Sequence, residues 1–129
     1  MISLRFPAIV LSCVLASAAA DGQAQEKACL MEGSFTVANE TTEIKDCLQN
    51  NGVAPPQFKE TCASLAQATT AFGGPPAKVT YLASCPPQPQ GVCDGFFGQP
   101  MASYYYKRDP KTIATTKSSC LAQGGRWRG

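Results

Sequence analysis

Alternation of apolar and polar residues is clearest in two stretches of the chain. Over 77–85, Val79, Tyr81, Ala83 and Cys85 fall on one side, and Lys78, Thr80, Leu82 and Ser84 on the other, which is the period of a strand. Over 101–107, Tyr105 opposes Tyr104 and Tyr106, so one tyrosine face must pack and at least one ring is left for solvent or a ligand. Ser34 to Val37 is a shorter alternating piece, and Val92-Cys93 restarts extended chain after the loop Pro86–Gly91, which three prolines stiffen.

Helical spacing appears three times. Ile44, Cys47 and Leu48 stand at i, i+3 and i+4, which predicts a short helix over 40–49, with Asn39 or Thr41 as cap and Asn50-Asn51-Gly52 as the stop. Pro55-Pro56 opens a second helix with the stripe Phe58, Cys62, Leu65, Ala66 and Thr69, closed at Gly73-Gly74-Pro75-Pro76. Asp109 and Pro110 are the cap and first residue of a third, which carries Ile113, Lys117, Cys120 and Leu121 on one side and meets Gly124 at its end. The first two, joined by a short loop, form an αα-hairpin. The expected fold is therefore a small α+β domain with an αα-hairpin, a roughly three-stranded antiparallel sheet and a C-terminal helix. Phe96 and Phe97, set between glycines, either plug its core, the default, or form an exposed aromatic patch.

The N-terminal 20 residues stand apart. Arg5 followed by the apolar run Ala8–Ala20 and a small-residue tail reads as a signal peptide cleaved before Asp21, and the run is too short to span a membrane. Cys13 lies in a faint lipobox-like context, which would instead place a lipid there. Residues 21–28 read as a flexible lead-in and 29–129 as one domain. That domain holds six cysteines, and an even count in a small exported chain is the mark of a disulfide framework. Six cysteines allow 15 pairings. Cys85–Cys93 would pin the proline loop, Cys47–Cys62 would join the two hairpin helices, and Cys29–Cys120 is left by elimination. With no histidine and no Cys-x-x-Cys, neither a metal site nor a cofactor is expected.

Charge is segregated along the chain. Residues 21–60 hold seven acids against three lysines, and residues 61–129 two acids against seven bases. A dipolar surface that closes on itself accounts for this; a basic face for an anionic partner is the functional version. The absence of histidine excludes Ser-His-Asp and Cys-His catalysis. Asp94 and Asp109, partnered by Glu40 or Glu43, are the candidates for a small secreted carboxylate-dependent hydrolase, though Asp109 is accounted for as a cap. Lys107, Arg108, Lys111 and Arg126 beside two tyrosines are too few to expect nucleic acid as a partner. A non-catalytic binding or structural module of the bacterial envelope, periplasmic or secreted, is the leading expectation. Its partner would be an unknown protein or glycan, met by Phe97, Tyr104, Tyr106, Lys107 and Arg108. An inhibitor presenting the loop 85–93 is a third reading.

The strand ending Ala83-Ser84-Cys85-Pro86, the run Tyr104-Tyr105-Tyr106 and the closing Cys120-Leu121-Ala122-Gln123-Gly124-Gly125-Arg126-Trp127 together resemble features of small disulfide-rich exported bacterial proteins. The resemblance covers residues 79–127 best and the Cys47–Cys62 segment less well. It implies a stapled fold and export, and it transfers no activity and no site.

Overall fold

The computed structural model describes residues 26–129. The proposed signal peptide, its cleavage site and the lipidation site at Cys13 lie outside the described residues. Six strands, β1 (Ala28–Val37), β2 (Glu40–Asn50), β3 (Lys78–Leu82), β4 (Gly91–Asp94), β5 (Met101–Tyr105) and β6 (Arg126–Arg128), form one antiparallel sheet in the order β3-β1-β2-β5-β4-β6. Two helices complete it, α1 (Pro55–Gln67), which runs on as a 3-10 turn over Ala68–Phe72, and α2 (Pro110–Ala122). The expected three-stranded sheet is thus replaced by six strands, and the αα-hairpin does not form. The lead-in expected over 21–28 gives way to strand at Ala28, which is fully buried.

The difference arises at 40–50. In place of a helix, these residues pair along their whole upper length with β1, from Val37↔Glu40 to Ala28↔Gln49. Ala38 and Asn39, with φ of 50° and 66°, form the two-residue turn between the strands, the positive-φ geometry whose twist matches a hairpin. Thr41, Thr42 and Ile44 are β-branched and suit a strand. Cys47 and Leu48 are both fully buried although they point to opposite faces, because the sheet is covered on both sides here. Two adjacent apolar residues below Ile44 mimic a helical stripe; double burial is what produced them.

Three crossovers organise the domain. β2 and β3 are both antiparallel to β1, hence parallel to each other, and α1 joins them; β5 and β6 flank β4 likewise, and α2 joins those. Residues 83–90, here termed the strap, run from β3 to β4 past three intervening strands. Crossovers between parallel strands keep one hand. The two helical crossovers leave strands of opposite sense and travel in opposite directions along the sheet, so one hand puts both helices on the same face. The strap leaves a strand of β2's sense but travels in α2's direction, and so falls on the other face.

Each crossover is fastened to the sheet by one disulfide: Cys29–Cys62 ties β1 to α1, Cys93–Cys120 ties β4 to α2, and Cys47–Cys85 ties β2 to the strap. All three expected pairings are therefore corrected. Cys47–Cys62 is impossible because Cys47 faces the strap while Cys62 packs on the helical face. Cys85 and Cys93 do not close a local loop, since Cys85 turns down onto β2 and Cys93 turns toward α2. Cys120 takes Cys93 beneath its own helix, which leaves Cys29 for α1.

Local signals place both helices. Pro55 and Pro56 occupy the first turn of α1, and Phe58, Cys62 and Ala66 bury its inner stripe against Cys29, Met31 and Leu48. Phe58, 1 % exposed, is the largest side chain so buried, a contribution of about 1.5–3 kcal/mol from transfer alone. Asp109 caps α2 by accepting from Thr112 N at 2.8 Å, and Gly124 takes φ of 81° beyond its end. Trp127 belongs to β6. Its ring stacks on Tyr105 at 5.8 Å and lies directly above Gly91, where a Cβ would stand 2.0 Å from Cζ2. Phe96 packs between the two helical clusters, but Phe97 departs from the expected core plug and is 56 % exposed.

Candidate functional site

The alternation expected for the tyrosine strand is borne out. Tyr105 is buried on the helical face at 6 % exposure, while Tyr104 and Tyr106 stand half-buried on the strap face with Leu30, Cys47 and Cys85. Cross-strand pairing then sets the neighbours. Cys47 lies opposite Tyr104, which lies opposite Val92, which lies opposite Arg128. One row further on, Lys78, Glu32 and Lys45 stand side by side, and the backbone of Tyr106 continues the row by donating to the Lys45 carbonyl at 3.1 Å.

Each of the two tyrosines carries a cation over its ring. Lys45 Nζ lies 5.4 Å from the Tyr106 centroid, and the Arg128 guanidinium 6.0 Å from that of Tyr104. Such contacts are worth about 0.5–1 kcal/mol at exposed sites, enough to bias a side-chain position without locking it. Arg128 is further held by both carboxylate oxygens of Asp94, with Nη2 donating at 3.0 Å, and this pair keeps its guanidinium charged. The Tyr106 hydroxyl donates to the Pro86 carbonyl at 2.6 Å, and Cys85 N donates to Gln49 Oε1 at 3.0 Å, so the strap is seated along its first half. Burial, followed by the neighbouring Tyr104, pushes the Tyr106 hydroxyl up to about 12. Gln90 closes the far end of the strap, its amide donating to Arg108 O and accepting from Arg108 N, both at 2.8 Å.

The five residues expected to share a recognition patch divide three ways. Tyr104 and Tyr106 do share the strap face. Lys107 reaches along it to Glu43 at 2.9 Å, and this hydrogen-bonded pair lowers the Glu43 carboxyl and raises the lysine. Arg108 turns to the helical face, where it donates to Asp46 at 2.8 Å and lies 4.8 Å from the Tyr105 ring. Burial raises the Asp46 carboxyl, and Arg108 offsets part of that rise. Phe97 lies beyond the opposite end of β5, so it cannot join the other four. It sits instead at φ 55°, between Gly95 and Gly98, beside a shallow groove of about 340 Å³ on α1 lined by Gln57, Thr61 and Leu65.

Lys45 and Arg128 are the members that sequence reading did not assemble. They approach the tyrosines only through the pairing of β2 with β5 and of β4 with β6; period-2 spacing of Lys45 from Cys47 is the one local trace. The carboxylates weighed for hydrolysis are dispersed. Asp94 lies level with Gln49, and Glu43 is six residues along β2 from there, roughly 20 Å at strand rise, against the separations of about 5–10 Å that glycosidic chemistry uses. Among the described residues no group of three or more His, Cys, Asp or Glu is placed to hold a metal ion, and no helix is long and apolar enough to cross a membrane. The larger cleft, about 560 Å³, opens at the start of α1 between Asn50, Val53, Phe58 and Lys59, and the Asn50 side chain occupies its rim by bonding Gly52 N and Val53 N. Searches of protein-family models, curated proteins and solved structures return no match to the chain.

Proposed function

We propose that this is a non-catalytic exported binding module of the bacterial envelope, periplasmic or secreted, and that it recognises its partner with the strap face. The observation that carries the reading is the pair Tyr104 and Tyr106, presented on one face, each beneath a cation, packed beside the Cys47–Cys85 staple, and Tyr106 hydrogen-bonded to the strap. Rings and cations whose positions are already biased give contact area with less further loss of rotamer entropy, the economy on which recognition surfaces depend. Three disulfides suit an oxidising compartment and a protein that must hold its shape there.

The two rival readings lose their principal residues. Asp94, the hydrolase candidate, is committed through both carboxylate oxygens to Nε and Nη2 of Arg128. Of the loop 85–93, the inhibitor candidate, Cys85 and Pro86 are seated on the sheet by a disulfide and by Tyr106 and the last three residues belong to β4, so it does not project as a free loop. A photo-crosslinking amino acid placed at position 45 tests the assignment in cells. Discrete adducts from position 45, absent when the same group is placed at position 121 on α2, are the expected result. Equal labelling from both positions, or none from 45, would sink it.

A further inference from the structure

We infer that the strap face takes an acidic polysaccharide, a chain bearing carboxylates. This rests on the binding-module reading above and names the chemistry of its ligand. The first observation is where the uncommitted charge lies. Among the described residues the ion pairs are Lys59–Glu26, Lys107–Glu43, Arg108–Asp46 and Arg128–Asp94. Six basic residues stand outside them, Lys27, Lys45, Lys78, Lys111, Lys117 and Arg126; strand register gathers three of these on the strap face, Lys45 and Lys78 as the two neighbours of Glu32, and Arg126 opposite Asp94. Glu32 is the one acid of that face outside those pairs. The surplus is therefore cationic, spread over the width of the sheet, with Lys45 and Lys78 two strand spacings or roughly 10 Å apart.

The second observation is where the exposed apolar surface does not lie. A protein partner needs a desolvated apolar centre to its interface. The large exposed apolar residues are Val37, Phe72, Phe97 and Leu121. Val37 projects on the helical side, by its alternation with Cys29 and Met31, and Phe72 stacks at 4.9 Å on Phe35 of that same side. Leu121 is on α2, and Phe97 lies beyond the end of β5. None is on the strap face. That face offers half-buried tyrosines and spaced cations, which suit a hydroxyl-rich polyanion better than an apolar protein surface.

Titration calorimetry of the oxidised protein with polygalacturonate at low salt, set against neutral dextran, tests the proposal. Binding to polygalacturonate alone is expected, weakened about tenfold by Lys45→Gln combined with Lys78→Gln, in line with two partly exposed ion contacts. It should be abolished near 1 M salt, where the Debye length falls to about 3 Å. Phe97→Ser and Leu121→Ser should leave it unchanged. Equal binding to dextran, no binding at all, or loss through Phe97→Ser but not through the lysine pair would each overturn the glycan assignment. Crosslinks from position 45 to a protein, with no response to polygalacturonate, would overturn the ligand class while leaving the strap-face reading in place.

Discussion

Replacing Gly91 with alanine should unfold the β4–β6 edge at a predictable cost. An added Cβ would stand 2.0 Å from Trp127 Cζ2 and 2.8 Å from both Cε2 and Cη2, where carbon atoms settle about 3.5–4 Å apart. The ring must therefore move by well over an ångström, which removes it from its stack on Tyr105. Overpacking of this kind costs about 1–3 kcal/mol, and a lost aromatic pair about 0.5–1.5 kcal/mol more. The sum, roughly 1.5–4.5 kcal/mol, corresponds to a fall of about 7–20 °C in the thermal midpoint of a domain this size. Trp127 is the sole tryptophan in the chain, so its emission reports the displaced ring directly. A cycle with Trp127→Ala, followed by circular dichroism, isolates the cause. Without the indole, Gly91→Ala should be neutral or stabilising by up to about 1 kcal/mol, since this glycine is not held at positive φ and alanine restricts the unfolded chain. Unchanged emission and midpoint in Gly91→Ala would refute the placement of the ring, and a penalty that persisted without Trp127 would refute the mechanism.

Peptide mapping under non-reducing conditions should recover Cys29–Cys62, Cys47–Cys85 and Cys93–Cys120; a Cys85–Cys93 peptide would remove the strap from the sheet. Replacing Cys47 and Cys85 together by alanine opens a link spanning 38 residues, a loss of about 4 kcal/mol on the chain-entropy model, readable by denaturant unfolding. Tyr106 gives a pH signature. Its folded hydroxyl titrates at about 12, above the unfolded value near 10, so the stability it supplies is complete below pH 10 and is lost as pH rises toward 12. Ultraviolet titration should show Tyr106 ionising only in that last interval, with Tyr105, which burial also raises, ionising late as well, and Tyr106→Phe should remove one late step together with the corresponding alkaline loss of stability. Ionisation of every tyrosine near pH 10 would show that the strap does not cover it.

What the chain spelled out locally is what nearest-neighbour physics decides. The two prolines that start α1, the aspartate-proline start of α2, the glycine stops, and the alternation in β3 and β5 all act within a few residues. So does the opposition of Tyr105 to Tyr104 and Tyr106. Each could be read because backbone stiffness, capping and side-chain period need no partner from elsewhere. The even cysteine count likewise announced a stapled domain without saying which cysteines meet.

Tertiary structure alone decided the rest. Glu40–Asn50 became a strand because β1 and β5 supply its hydrogen bonds, and two covered faces bury Cys47 and Leu48 together; no local period distinguishes that from a helical stripe. Disulfide pairing depended on which face each crossover takes, a property of sheet order and handedness across the whole domain. The site followed the same logic. Tyr106, Lys107 and Arg108 are adjacent in sequence, yet Arg108 leaves for the half-buried Asp46, while Lys45 and Arg128 reach the tyrosines from distant strands. Tyr106, Lys107 and Arg108 lie past the end of β5, where the chain bends and alternation no longer decides which face each takes, and side chains that meet on a face are gathered by register, which exists only once the sheet has closed.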